Sequence, residues 1–247
     1  MLRRPVEAAD RVRGRIERRL DPALPVNAAP CQGMHDRLHE LLGLPGDPAG
    51  CDACAGFDDA WKSVIARIPD SCGHDAGAGM ARTAWAAVRH LRPERVVETG
   101  VARGVTTSVL LQAMERNGSG ALWSIDLPDL RLAWRGSVSQ AVPADLRARW
   151  TYVRGSSRRF LPALLAELGH IELFVHDGLH TYPNMMFEFG LAWRYLDAGG
   201  LLLSDDVDSN GAFGHFGSWA AAPLLVCPEE AKAGAFGLIR KVTMTVD

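Results

Sequence analysis

From Met80 onward the chain alternates short hydrophobic runs with stretches of helical periodicity, a pattern that restricts it to an α/β sheet with crossover helices. Strands are expected at Arg95–Val101, Ala121–Leu127, Thr151–Arg154, Ile171–His176 and Leu201–Leu203, with helices at Met80–Leu91, Thr106–Arg116, Pro143–Arg149 and Arg158–Leu168 between them. Pro183 fits the first turn of a further helix, and Gly199-Gly200 is expected to end it. Leu224–Cys227 and Phe236–Val242 have no long helix between them and read as a closing antiparallel pair at one sheet edge. The expected fold is α/β: a doubly wound, mostly parallel, seven-stranded Rossmann-like sheet with an antiparallel edge strand. Residues 80–247 would form this domain and residues 1–79 a helical and irregular N-terminal extension or cap.

Size and composition narrow the partners. The chain has 247 residues with 47% hydrophobic content, enough for a real core, and a formal charge of -2 that offers no electrostatic case for nucleic acid. No apolar stretch approaches the roughly 20 residues that span a bilayer, and the N-terminus lacks a signal-peptide core, so a cytoplasmic protein is expected. Leu2, Val6, Ala9, Val12, Ile16 and Leu20 recur at helical spacing among seven arginines. This helix is amphipathic. Glu7, Asp10 and Glu17 argue against a membrane role, leaving packing on the body of the protein or on another subunit of a homo-oligomer. The five cysteines do not suggest a disulfide framework, and Cys51-Asp-Ala-Cys54 reads either as half of a structural zinc site or as two small loop residues.

Open α/β sheets bind ligands at the carboxyl ends of their strands, and the polar residues of this chain gather at those positions. Glu98-Thr-Gly100-Val-Ala-Arg-Gly104 joins the first strand to its helix, where glycines permit close approach and a helix N-terminus supplies donors. Glu98 is awkward beside a dinucleotide pyrophosphate but suits a sulfonium or ammonium group, which favours S-adenosylmethionine. Asp126 ends the second strand, either to accept from ribose hydroxyls or to cap a turn. Asp177, Asp205 and Asp206 offer hard oxygen ligands suited to Mg²⁺ or another divalent cation. His180, three residues beyond Asp177, is placed either to take a proton from a hydroxyl or to serve as a loop histidine. The stretch from Asp208 to Trp219 has four glycines and three aromatics, so Phe213, Phe216 and Trp219 would either face an acceptor from a mobile covering loop or anchor that loop to the sheet.

On Glu98-Thr-Gly100-Val-Ala-Arg-Gly104, Ser124-Ile-Asp126, His176-Asp177-Gly-Leu-His180 and Ser204-Asp205-Asp206, residues 80 to 242 resemble the class I S-adenosylmethionine-dependent methyltransferases. Within them the chain looks most like the metal-dependent sugar O-methyltransferases of macrolide biosynthesis and the related cephalosporin hydroxylase-like group. The resemblance implies cofactor contacts from Glu98, Gly100, Gly104, Asp126 and Asp177, with Ser156 and Ser157 near the adenine unless they cap the helix that follows. It implies His180 as base, Asp177, Asp205 and Asp206 at the metal, and a small-molecule hydroxyl acceptor, with a sugar among the candidates. The other readings are a metal-dependent hydroxylase and a non-catalytic S-adenosylmethionine-binding module.

Overall fold

The computed structural model describes residues 5–21, 34–44, 51–68, 77–128, 138–230 and 233–242. Cys31 and Cys72 lie outside them. Seven strands form one sheet: β1 (Arg95–Thr99), β2 (Ala121–Asp126), β3 (Trp150–Arg154), β4 (Ile171–His176), β5 (Leu196–Ser204), β6 (Leu224–Pro228) and β7 (Ala235–Arg240). Their spatial order is β3-β2-β1-β4-β5-β7-β6. The first five strands are mutually parallel. β7 runs antiparallel to both neighbours, so the reversed strand lies one place in from the edge, between β5 and β6.

Period-2 side-chain alternation builds a core on each face of this sheet. Val96, Leu173, Val175, Leu201 and Leu203 point into a cluster with α2 (Met34–Leu42), α3 (Phe57–Ile65), α4 (Ala78–Leu91) and α5 (Val105–Asn117). Val97, Phe174 and Leu202 point into the opposite cluster with α6 (Ser157–Leu168), α7 (Tyr182–Tyr195) and α8 (Ala212–Ala220). Leu38, Leu42, Phe57 and Val64 share the first cluster with Trp85, so α2 and α3 are built into the core of the sheet domain.

Two expectations need correction, and one reading left open is decided. The helix after β4 ends at Tyr195, and Gly199-Gly200 lies inside β5, where the register against β4 shifts between Ile171 and Leu173. Gly199 has φ +86°, and a Cβ on Gly200 would stand 2.8 Å from the Glu172 carbonyl, so these glycines serve an irregular strand start and not a helix stop. The stretch after Asp206 is largely the helix α8, whose Phe213 and Phe216 are fully buried against Phe189; they anchor the segment and do not face a substrate, while Trp219 is exposed. Pro143–Arg149 forms only a short 3₁₀ turn, Asp145–Arg149.

α1 (Pro5–Leu20) packs with its polar side inward. Arg154 makes a two-pronged pair with Glu7 at 2.9 and 3.2 Å, Arg159 does the same with Asp10 at 3.2 and 3.0 Å, and Arg158 meets Glu17 at 3.2 Å. Val6, Val12, Ile16 and Leu20 are left exposed. Among the described residues no helix is long and apolar enough to cross a membrane.

Candidate functional site

A cavity of about 720 Å³ opens at the carboxyl ends of the parallel strands, inside the range of roughly 300–1,000 Å³ typical of small-molecule sites. The turns that form its floor are tied together by backbone hydrogen bonds: Gly100 N–H to the Ile125 carbonyl, Asp177 N–H to Thr99 and Asp205 N–H to His176, at 2.8 to 2.9 Å. Gly100 has φ +88°, and a Cβ there would stand 1.8 Å from the Asp177 carbonyl oxygen. Only glycine fits where the turn after β1 crosses the turn after β4.

Gly100, Asp126, Ser156, Ser157, Asp177, His180, Asp205 and Asp206 all line this cavity. Asp126 accepts from Val101 N–H at 3.3 Å and from the Tyr152 hydroxyl at 3.2 Å; burial nevertheless raises its pKa. Ser156 occupies the N-cap position of α6 but makes no side-chain cap. Thr106 donates to Asp177 at 3.2 Å, fixing that carboxylate from the first turn of α5.

Glu98 and Gly104 sit behind the wall. Glu98 is fully buried, accepts from Thr107 at 2.8 Å and Ser124 at 2.6 Å, and burial pushes its carboxyl up to about 7. From there it supports the β1 turn from below and does not touch the cavity. Gly104, with φ +82°, meets Ser139 and Val142, where a Cβ would stand 2.8 Å from the Val142 methyl.

Asp177, Asp205 and Asp206 do not bring three ligating oxygens within 4.8 Å of one another. Among the described residues, the triplets that do bring their ligating atoms that close are His39–Cys51–Cys54 and His170–Glu172–Asp197. Asp206, in a left-handed backbone conformation, places its carboxylate 3.2 Å from His180 Nδ1, where it orients the ring.

Two groups of residues enter the site that sequence reasoning did not place there. Beneath His180, whose ring packs edge-on to His176 at 5.1 Å, Glu188 takes hydrogen bonds from His176 Nδ1 at 2.7 Å, Thr99 at 2.6 Å and Asn184 at 2.8 Å. Burial would raise the Glu188 pKa, but the charge of His176 and these hydrogen bonds outweigh it and hold the carboxyl below its ordinary value. The available signal was Asn184 and Glu188 at i and i+4 on an otherwise apolar helix. Second, Asp10, Arg11, Gly14, Glu17 and Arg18 of α1 form the roof of the cavity, with Gly14 close enough that a Cβ would touch Leu179 at 3.4 Å. The signal there was the acidic set Glu7, Asp10 and Glu17 on one side of the helix.

Residues 97–207 match a family model described as a methyltransferase domain. No curated protein matches the chain by sequence. Among solved structures, the fold is similar to a putative O-methyltransferase from Klebsiella pneumoniae, with 20% identity, a TM-score of 0.54, and 85% of this chain and 96% of that one covered. It is also similar to the O-methyltransferase TomG from Streptomyces achromogenes, involved in tomaymycin synthesis and solved with S-adenosylmethionine (14% identity, TM-score 0.52, covering 98% and 100%). A third is the O-methyltransferase from Bacillus cereus in complex with S-adenosylhomocysteine (14% identity, TM-score 0.52, covering 84% and 97%). The chain therefore has the class I methyltransferase fold, and residues 97–207 carry the sequence pattern of a methyltransferase domain.

Proposed function

We propose that the protein is an S-adenosylmethionine-dependent O-methyltransferase acting on a hydroxyl of a small natural product, a sugar hydroxyl being one candidate. The observation that carries this reading is the meeting, in one cavity within the methyltransferase-like region, of the Gly100 turn, Asp126 and the Asp177–His180 loop. The donor set suits the cofactor: Asp126 stands at the end of β2 for ribose hydroxyls, and Asp177 supplies negative charge for an ammonium or sulfonium group. When bound, S-adenosylmethionine supplies an electrophilic methyl group.

The chain's own contribution is alignment and proton removal. His180, oriented through Nδ1 by Asp206, has Nε2 as the nitrogen that accepts the hydroxyl proton. The turns after β1 and β4 would hold the hydroxyl oxygen in line with the methyl donor, so that the methyl group passes to oxygen and S-adenosylhomocysteine leaves. α1 roofs the cavity and limits entry of water. Asp177 and Asp205 would hold Mg²⁺, a cation that takes few carboxylates and keeps several waters; their hard oxygens fit it, and it would lower the pKa of a coordinated hydroxyl. A homo-oligomer is part of the same proposal, supported by the exposed stripe Val12, Ile16 and Leu20 on α1, and sedimentation velocity tests it.

Calorimetric titration of the full chain with S-adenosylmethionine tests the central reading. Saturable binding is expected, weakened about tenfold or more by Asp126→Ala, equivalent to at least ~1.4 kcal/mol. Folded protein that takes up neither S-adenosylmethionine nor S-adenosylhomocysteine would sink it.

A further inference from the structure

The pair Cys51-Asp-Ala-Cys54 has no part in the cavity described above, yet the fold gives it a third partner. His39, on α2, reaches the turn that carries both cysteines, with its Nε2 3.3 Å from Cys54 Sγ. A ring nitrogen of His39 and the two sulfur atoms all lie within 4.8 Å of one another. Tetrahedral zinc with Zn–S near 2.3 Å and Zn–N near 2.0 Å sets S···S at about 3.8 Å and N···S at about 3.5 Å; the His39–Cys54 separation is close to that spacing, and Cys51 stands near enough to join them. His39 and Cys51 are buried and Cys54 is half-buried.

The turn is also shaped for two sulfurs on one side. Cys54 N–H and Ala55 N–H both donate to the Cys51 carbonyl, at 3.0 and 3.1 Å, which curls the segment back on itself and brings Cys54 under Cys51. One imidazole and two thiols form a soft to borderline donor set, which selects zinc over magnesium or calcium. The oxygen-rich residues of the cavity have the opposite preference.

We infer that His39, Cys51 and Cys54 form a structural Zn²⁺ site, distinct from the catalytic cavity, that fastens α2 to the turn preceding α3. On binding, each thiol loses its proton to solvent and each thiolate donates to zinc, so two protons leave as one Zn²⁺ enters, and His39 binds as neutral imidazole through Nε2. A solvent oxygen or a further side chain completes the tetrahedron. The need for such a clip follows from size: α2 and α3 have nine residues each, too few to be stable alone. Leu38 and Leu42 on α2 and Phe57 on α3 fill the core beside α4, so releasing His39 from the turn loosens one face of the sheet domain.

The test is metal analysis of the full chain produced in zinc-supplemented medium and purified without chelator. About one zinc per chain is expected, retained in Asp205→Asn and Asp206→Asn but falling below about one tenth in Cys54→Ser and in His39→Gln. Because such variants can lose structure, the wild-type chain supplies a second measurement: replacing zinc with Co²⁺ should produce a thiolate-to-cobalt charge-transfer band and the intense visible absorption of a tetrahedral ion. Three results would overturn the assignment: wild-type protein that holds no zinc and gives no thiolate band with Co²⁺; a Cys51–Cys54 disulfide in the intact mass of freshly purified protein; or undiminished zinc in a folded Cys51→Ser/Cys54→Ser double variant.

Discussion

His180 and Asp206 form a pair that the sequence alone separates by 25 intervening residues, and the pairing changes what each is expected to do. With its carboxylate 3.2 Å from Nδ1, Asp206 is placed to orient the ring, and in the proposed mechanism Asp177 and Asp205 would be the oxygen donors to a cation. Replacing His180 with Ala should lower kcat by about 10²–10⁴-fold, the usual contribution of general base catalysis, and leave the Kd for S-adenosylmethionine within about twofold. Asp206→Asn keeps the shape and loses the charge, so a smaller fall of roughly tenfold to a hundredfold is expected. Formation of S-adenosylhomocysteine with an accepted hydroxyl substrate measures both. Equal activity of His180→Ala and wild type would remove the base from the proposal. Asp126 and Asp177 could be found from sequence because each closes or directly follows a hydrophobic run, and His180 because it stands three residues beyond Asp177. Glu188 is harder to find: its polar spacing with Asn184 marks a helix face without a partner, and what draws it to the site is the imidazole of His176 on a neighbouring strand, a contact made only by folding.

The packing of α1 shows how an element can be recognised while charge, and not its apolar stripe, decides which side faces the body. Its apolar spacing predicts a helix, and a helix forms over Pro5–Leu20, but the burial rule that normally turns the apolar stripe inward is overridden by three arginines near the start of α6 and the end of β3. Arg154, Arg158 and Arg159 attract Glu7, Glu17 and Asp10, and the helix lies across the cavity with its acidic side down. A roof held by exposed and half-exposed ion pairs is weak and screened by salt. Deleting residues 1–21 is therefore expected to speed release of bound S-adenosylmethionine by about tenfold, in keeping with the gating role of mobile covers. Raising the ionic strength should move the wild type in the same direction. Stopped-flow displacement by excess S-adenosylhomocysteine measures this, and a release rate indifferent to both changes would show that α1 does not close the site. The cores were easier to read than the roof, since Val96, Val97, Phe174, Leu201 and Leu202 alternate between faces as any buried strand must. Gly199-Gly200 misled because glycine ends helices and also permits irregular strands; only the pairing of β5 with β4 decides between them.

The stability of the whole molecule should carry the mark of two buried carboxylates treated in opposite ways on adjoining strands and helices. Glu98 lies below the Gly100 turn with two hydroxyl donors and, among the described residues, no cation paired to it, and burial lifts its pKa to about 7 against 4.5 for a free side chain. Glu188, equally buried, is held below its ordinary value by His176 and its neighbours. Between pH 4.5 and about 7 the unfolded chain releases the Glu98 proton while the folded chain keeps it, so this group makes stability fall as pH rises through that window and level off above it. Glu188 works the other way, contributing stability above the ordinary carboxylate range that is lost as pH falls through its lowered value. Glu98→Gln retains an oxygen to accept from Thr107 and Ser124 and has nothing to ionise. Its stability should track that of the wild type near pH 4.5 and exceed it by about 3 kcal/mol at pH 8, the linkage energy of a shift from 4.5 to about 7. Urea denaturation across that range measures the difference. Parallel profiles for the two proteins would mean that Glu98 ionises freely in the fold, and its position beneath the Gly100 turn would then require a cation that the surrounding hydroxyls do not supply.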